Sequence, residues 1–469
     1  MSILRKQKYR NSIKIIGFIV VTVLILANIF PIFNYKDMGG GGGFQRLYNS
    51  PPNSMDVMFF GSSRAHCTID HGYLWDHYGI AGYTLSAGAQ KMDSTYYCVQ
   101  EALRCQNPKV IFVEISFQVN NGEIEDEETD VYRNYLGMKV SGISLSFANY
   151  LGRQMNMSPE EKEELYTRFP IIHSRYRELE KADFIDDIPF MRGYRGSFEE
   201  VPFDTPVVTE QTMEISQDNQ EFIEKLILLS EEKNVPLVLF ASPYVVSEEE
   251  QMRINAVGEI ARKNGIPFIN FNCLYQETGI DFSCDFRDSS HVNNAGAQKV
   301  TEYLAQYIKA NYETEDHRGD NQYILWDQNA QYLHNKELRH ALEQRENIND
   351  YLTQLSDDEK DVILIQFVGN YQALGDVYLE NIMKLGISQE DYIGGGYYFL
   401  CGGSKIEKPE DISIDENQVI WIQGEAYQTE IENGVNVVVY DKELKQVIDV
   451  AGDDIYLGLS MSHLDLKEQ

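Results

Sequence analysis

Two short segments of this sequence carry side chains that could act together on a carbonyl group. The first is Gly61-Ser62-Ser63-Arg64, which directly follows the apolar run 55–60. A serine at a strand-to-helix turn exposes its hydroxyl, and the N–H groups of the turn point at whatever binds there. Gly-Ser-Ser is also an ordinary loop sequence, so this segment alone does not identify a catalytic serine.

The second segment is Asp288-Ser289-Ser290-His291, which precedes a helical pattern. A neutral imidazole can accept the proton of a serine hydroxyl, and a carboxylate can orient the ring. The spacing lets both side chains project from one loop into a common site. The alternative is a surface loop that caps the following helix through Asn293 or Asn294.

The elements that must position these residues alternate between strand and helix. The predicted strands are 55–60, 83–85, 110–113, 236–240 and 267–270, and the predicted helices are 93–103, 221–230, 254–264 and 295–312. Such alternation predicts an α/β fold with a parallel sheet and helices on both faces. Ser63 follows the first strand and His291 precedes the last helix, so both loops can meet at the carboxyl edge of the sheet.

With these motifs in place, residues 54–312 resemble the SGNH (GDSL-like) hydrolase superfamily. The resemblance implies a three-layer, doubly wound, flavodoxin-like parallel sheet, with Ser63 as nucleophile and Asp288 and His291 as its partners. The segment 83–90 is similar to the second block of the family, which implies oxyanion donors at Ser63 and Gly88. The third block, Gly-x-Asn-Asp, is absent, so Ser116 and Gln90 are only candidates for a third donor.

The apolar N-terminal run 15–33, the segment Gly61-Ser62-Ser63-Arg64 and the strand Val113-Glu114-Ile115-Ser116 are most similar to one branch of that superfamily. It includes the D-alanyl-lipoteichoic acid biosynthesis protein and polysaccharide O-acetylation proteins, and the segments 173–176 and 192–194 resemble its insertion. The branch implies acyl transfer, chiefly O-acetylation, onto a cell-surface polysaccharide or teichoic-acid-like glycan, beside a membrane-bound O-acyltransferase. A carbohydrate esterase and a non-catalytic glycan-binding scaffold are the alternatives.

Charge and hydropathy place the chain at a membrane. Basic residues in 1–14 precede the apolar run 15–33, which can span a hydrocarbon core of about 30 Å; the alternative is a cleaved signal peptide. The positive-inside rule predicts a cytoplasmic N-terminus and an extracellular bulk, joined by a glycine-containing linker at 34–53. The net charge of −33 excludes a nucleic-acid surface, which needs clustered cations.

Composition also divides the remainder of the chain. A polar, mostly helical insertion is predicted at 120–206, over the sheet edge, and a linker at 313–320. Residues 321–469 then form a smaller α/β or α+β domain that resembles the interleukin-like EMT inducer domain, through 394–399 and 433–441. The resemblance implies carbohydrate binding. Tyr397, Tyr398 and Trp421 either stack on sugar rings or fill the core.

The six cysteines form no Cys-x-x-Cys pair, which argues against a zinc ribbon. Cys98 and Cys105 lie too far apart on one helix for a disulfide, whereas a Cys273–Cys284 pair stays open. The sequence displays no cluster of metal ligands and predicts no cofactor, and serine-based acyl chemistry requires neither.

Overall fold

A computed structural model describes residues 11, 13–18, 20–22, 25, 32–33, 40–120, 134–168, 173–179, 192–456 and 461–466. The chain divides into two compact units, Met1–Asn329 and Ala330–Gln469. Residues 313–320 therefore belong to the first unit. The His317 ring stacks on Tyr323 at 4.1 Å, and the Trp326 indole N–H donates to Gly82 O at 3.0 Å, which ties this segment to the sheet of that unit.

The first unit contains the predicted five-stranded parallel sheet. Its strands are β1 Val57–Gly61, β2 Gly82–Ser86, β3 Val110–Glu114, β4 Leu237–Ala241 and β5 Phe268–Asn270. They lie in the order β2-β1-β3-β4-β5, and every neighbouring pair is parallel. The prediction of an α/β fold with a parallel sheet is confirmed, and the order is that of flavodoxin-like folds.

The strand register brings three chain segments to one edge of this sheet. Gly61 pairs with Ser86 of β2, and Phe60 pairs with Val113 of β3. The segments that follow β1, β2 and β3 therefore leave the sheet together. From β1 the chain first adds β2 on one side and then β3 on the other, so the strand order reverses between β1 and β3. Open α/β sheets bind their ligands at such a reversal.

Helices connect these strands, and most of those described begin at a residue whose side chain caps the helix. In the first unit they are Gly40–Asn49, Ser63–Thr68, His71–Tyr78, Met92–Cys105, Ser116–Asn120, Gly142–Gln154, Pro159–Thr167, Gln217–Lys233, Glu248–Lys263, Tyr275–Thr278 and Asn294–Asn311. The helix Glu248–Lys263 illustrates the local rules: Ser247 and Glu250 form a capping box at its start. Its buried residues Ile254, Val257 and Ala261 follow the helical period, which turns one face to the core.

The predicted insertion, 120–206, is described in part. Its helices Gly142–Gln154 and Pro159–Thr167 are followed by a 3-10 turn, His173–Arg177. Residues 121–133, 169–172 and 180–191 of the insertion lie outside the described part of the chain. Near its end, the Arg192 carbonyl accepts a hydrogen bond from Thr84 N of β2 at 2.9 Å, so the chain returns beside the sheet.

The second unit has an antiparallel sheet, which makes it α+β. Its six strands lie in the order Ser404–Lys405, Tyr397–Cys401, Val362–Val368, Gly434–Asp441, Gln446–Asp454 and Ser462–His463. A smaller sheet contains Ile412–Ile414, Ile420–Ile422 and Glu425–Ala426, and the helices are Ile348–Leu355, Asp376–Lys384, Gln389–Gly394 and most of Ile324–Glu343. Along Val362–Val368, Ile363 and Ile365 pack in one core cluster, and Val362 and Leu364 in another, as the two-residue period of a strand requires.

Two expectations for the second unit are refined by these elements. The predicted single helix 339–355 is two helices, because Asn347 starts a new one by accepting a hydrogen bond from Asp350 N. Of the three aromatic residues considered for sugar stacking, Tyr397 and Trp421 are exposed. Tyr398 packs against the core, and its hydroxyl donates to Asp391 O.

The N-terminal anchor predicted at 15–33 lies partly outside the described residues. Within those that are described, no helix combines the length and apolar character needed to cross a membrane. All six cysteines lie in the described ranges and are free thiols, so Cys273 and Cys284 are not paired.

Candidate active site

The turn after β1 places Ser63 at the carboxyl edge of the sheet. Gly61 ends the strand with a φ of 148°, and an added Cβ would meet Glu114 Cβ at 2.7 Å, so a side chain does not fit there. Ser62 then caps the helix Ser63–Thr68 by accepting a hydrogen bond from Arg64 N. Ser63 is therefore the first helical residue, half-buried at the turn.

The structure brings Ser63, His291 and Asp288 into one hydrogen-bonded chain. His291 Nε2 lies 2.8 Å from Ser63 Oγ, and His291 Nδ1 lies 2.9 and 3.0 Å from the two oxygens of Asp288. A two-stranded hairpin, Phe286–Asp288 with His291–Val292, carries the acid and the base. These distances are those of a nucleophile, its base and the group that orients the base.

The pKa values of His291 and Asp288 suit these roles. Burial lowers the pKa of His291 below its ordinary 6.5, although the bond to Asp288 opposes this shift. Burial alone would raise the pKa of Asp288, but hydrogen bonds from His291 and Ser290 N outweigh it and leave the pKa below its ordinary 3.8. At neutral pH the imidazole is therefore unprotonated and able to accept the Ser63 proton, while the carboxylate is ionised.

The lowered pKa of His291 predicts a pH dependence of activity. Only the neutral ring can act as a base, so kcat/KM should rise with pH through the His291 pKa, at a midpoint below 6.5. The check is kcat/KM for p-nitrophenyl acetate measured from about pH 4 to about pH 9. A midpoint above the ordinary histidine value would contradict the assignment of His291 as a buried base.

The two predicted oxyanion donors, the N–H groups of Ser63 and Gly88, follow two neighbouring strands of the sheet. Because Gly61 pairs with Ser86, Ser63 and Gly88 each lie two residues beyond a paired position. A Cβ added to Gly88 would meet nothing within 4 Å, so this backbone borders open space. The next residue, Ala89, has a φ of 52°, a left-handed conformation that costs energy for a residue with a side chain and is frequent at functional sites.

The other two candidates, Ser116 and Gln90, are engaged elsewhere. The Ser116 N–H donates to Glu114 Oε1 at 2.8 Å, and its hydroxyl donates to the same oxygen. The Gln90 amide donates to Thr95 Oγ1 at 2.8 Å and accepts from Asn134 Nδ2 at 2.9 Å. Of the predicted oxyanion donors, the backbone N–H groups of Ser63 and Gly88 therefore remain as candidates. In this arrangement neither the Ser116 nor the Gln90 side chain supplies a third donor.

A buried polar network beneath the turn was not identified from the sequence. Glu114 is fully buried, and Ser62 Oγ donates to its Oε2 at 3.4 Å. Arg64 donates to Ser116 Oγ at 3.1 Å, and its guanidinium lies 3.4 Å from the centroid of the Tyr244 ring. The network links the nucleophile turn to the end of β3. A carboxylate at the end of the otherwise apolar strand Val110–Glu114 was the available signal.

A cavity of about 350 Å³ begins at Ala89, the residue after Gly88. Gln118, Tyr150 and Phe222 line it, with further amide and hydroxyl side chains. Gln118 is 2% exposed, and in the described part of the chain neither its Oε1 nor its Nε2 has a hydrogen-bond partner. A buried amide without partners is costly unless a ligand or water satisfies it, which makes this cavity a candidate binding site.

Comparison with models of known protein families finds no match for this chain. A search of curated proteins finds no match either. Its function must therefore be argued from the geometry of the site and the motifs of the sequence.

Proposed function

We propose that this chain is an extracytoplasmic acyltransferase of the SGNH-hydrolase type that acylates hydroxyl groups of a cell-surface or secreted polysaccharide. The observation that carries the proposal is the hydrogen-bonded chain from Asp288 through His291 to Ser63 at the sheet edge. The sequence supports it through the Gly-Ser-Ser and Asp-x-x-His motifs. Ser63 and His291 of these motifs are 228 residues apart and are joined by a hydrogen bond.

The proposed reaction proceeds through an acyl-enzyme. Ser63 Oγ attacks the carbonyl carbon of an acyl donor while His291 Nε2 takes the hydroxyl proton, and Asp288 stabilises the resulting imidazolium. The N–H groups of Ser63 and Gly88 face the oxyanion, each donor contributing about 3 kcal/mol. His291 returns the proton to the leaving group. It then takes the proton of an acceptor hydroxyl, whose oxygen attacks the acyl carbonyl. The bond between the acyl group and Ser63 Oγ breaks, and His291 returns the proton to Ser63 Oγ.

The cavity beyond Gly88 supports a sugar as the acceptor. Its lining includes two carboxylates, Asp93 and Asp218, against one cation, Lys91, which disfavours an anionic ligand. Amides and carboxylates can exchange hydrogen bonds with sugar hydroxyls, and the aromatic Tyr150 and Phe222 offer apolar surface. A hydroxyl-rich acceptor would satisfy the Gln118 amide, which a bare acyl chain would leave without partners.

The sequence adds the proposed setting of this reaction. The run 15–33 would anchor the domain at the membrane with its bulk outside, beside a membrane-bound O-acyltransferase that supplies acyl groups. The second unit would bind carbohydrate. Both statements rest on the hydropathy pattern and on the resemblance given above.

An acyl-transfer assay with two variants tests this proposal. The full-length protein is incubated with p-nitrophenyl acetate and an oligosaccharide, and acetylated oligosaccharide is measured by mass spectrometry. Wild type is expected to form it. Gln118→Leu is expected to raise KM for the oligosaccharide about tenfold, since a lost hydrogen bond in a buried site is worth about 1.4 kcal/mol. The matched control is Gln220→Leu, an exposed glutamine that does not line the cavity.

Two other outcomes would replace acyl transfer with an alternative. Release of acetate from an acetylated oligosaccharide, without transfer, would indicate a carbohydrate esterase. Oligosaccharide binding without either reaction, and without labelling by a fluorophosphonate probe, would indicate a scaffold. One observation favours the scaffold: Ser116 and Gln90 donate their hydrogen bonds to Glu114 and Thr95, so they are not free to stabilise an oxyanion.

A further inference from the structure

Three potential metal ligands converge in the second unit, whereas the proposed catalytic residues belong to the first. They are His334, Asp358 and Asp361, and one ligand atom from each lies within 4.8 Å of the others. His334 lies on the helix Ile324–Glu343, while Asp358 and Asp361 lie in the turn between Ile348–Leu355 and the strand Val362–Val368. This cluster was not predicted from the sequence, because the spacing of its residues matches no metal-binding motif.

Asp361 is the feature that points to a ligand. Its side chain is 1% exposed, and its Oδ2 has no hydrogen-bond partner among the described residues. His334 Nε2 lies 3.9 Å from this oxygen, beyond hydrogen-bond distance. A buried carboxylate without hydrogen-bond partners destabilises the folded state unless it is neutralised or coordinates a metal.

Negative charges outnumber positive ones around Asp361, where the charges of Asp358 and Asp441 act against that of Lys360. Asp441 itself is satisfied, because its carboxylate accepts hydrogen bonds from Asn335 Nδ2 and from the N–H groups of residues 443 and 444. It therefore contributes charge to the site and is not available as a ligand.

Asp358 is already oriented toward the cluster. Its Oδ1 accepts hydrogen bonds from Lys360 N at 2.9 Å and Asp361 N at 3.2 Å, which fixes the turn. Its Oδ2 is buried without a hydrogen-bond partner in the described ranges. Hydrogen bonds that hold a ligating carboxylate in this way are typical of metal sites.

We propose that His334, Asp358 and Asp361 bind a divalent first-row transition metal ion, such as Zn²⁺ or Mn²⁺. One imidazole nitrogen with two carboxylate oxygens suits these ions, whereas Ca²⁺ and Mg²⁺ prefer oxygen ligands alone. Ligand bonds of about 2.1 Å place two ligands at most about 4.2 Å apart, so small side-chain rotations close the site. The His334 side chain is 42% exposed, so water can complete the coordination from the solvent side.

Binding of Zn²⁺ and Mn²⁺ by the tag-free, EDTA-treated full-length protein tests this site. Isothermal titration calorimetry is expected to show a site whose Kd rises at least about tenfold in Asp361→Asn and in His334→Ala, the loss typical of a removed metal contact. Saturating metal should raise Tm in wild type and not in these variants. Mn²⁺ is included because Zn²⁺ also binds free thiols, of which the chain has six.

The controls separate a lost ligand from a damaged fold. Asp357→Asn changes an exposed carboxylate next to the cluster and should leave Kd unchanged. His334→Ala changes a partly exposed helix position, so its Tm without metal should match wild type. Wild-type affinity in both ligand variants, or tighter binding of Ca²⁺ than of Mn²⁺ at this site, would overturn the proposal.

Discussion

Replacing Ser63 with alanine is expected to lower kcat for p-nitrophenyl acetate hydrolysis by about 10³- to 10⁶-fold, as removal of a serine nucleophile does elsewhere. The reason is that His291 Nε2 lies 2.8 Å from Ser63 Oγ and has no other nucleophile to activate in this chain of hydrogen bonds. The same substitution should abolish labelling by a fluorophosphonate probe. Steady-state kinetics and gel fluorescence on the full-length protein provide the two measurements.

Ser62→Ala is the matched control for this experiment. Ser62 is adjacent, but its hydroxyl is directed to Glu114 Oε2 and to Arg64 N, away from the base. Its loss should cost about 1 kcal/mol of stability, as for a helix cap, and should leave probe labelling in place. Labelling that survives in Ser63→Ala and disappears in Ser62→Ala would show that the nucleophile is the other serine.

The sequence was sufficient to predict the parallel sheet and the proximity of Ser63, Asp288 and His291 for a physical reason. Strands buried on both faces of a parallel sheet are continuous apolar runs, as in Val110–Glu114, and such runs are visible without a structure. Ser63 and His291 could be brought together because each lies next to an element whose place in an α/β fold follows from chain order. The order of strands and helices determines where Ser63 and His291 lie, and that order can be predicted from local sequence patterns.

Contacts that depend on side-chain packing could not be predicted in this way. Ser116 N–H donates a hydrogen bond to Glu114 Oε1, which depends on the orientation of the buried Glu114 side chain. No spacing rule predicts that orientation. The unit boundary at Asn329 was missed because a polar segment, 313–320, resembled a linker, although His317 stacks on Tyr323 and ties it down. The cluster of His334 with Asp358 and Asp361 joins residues that only the tertiary fold brings together.

Asp288→Asn is the variant that best separates a catalytic triad from a structural turn. Asp288 Oδ1 also accepts a hydrogen bond from Ser290 N at 2.7 Å, a turn that asparagine can form equally well. Asparagine can, however, present an N–H to His291 Nδ1, which would favour the ring form with its proton on Nε2. That form cannot accept the Ser63 proton, so kcat is expected to fall by about 10²- to 10⁴-fold while the fold is kept.

The pH profile of this variant supplies a second, independent readout. Asp288 raises the pKa of His291 in the wild type, so its loss should move the acidic limb of kcat/KM to lower pH. The neighbouring Arg287, whose guanidinium lies 3.4 Å from Asp288 Oδ2, lowers the same pKa. Arg287→Gln should therefore move the limb in the opposite direction, with kcat largely retained. If Asp288→Asn instead keeps wild-type kcat and an unshifted limb, Asp288 only forms the turn, and His291 acts without a carboxylate partner.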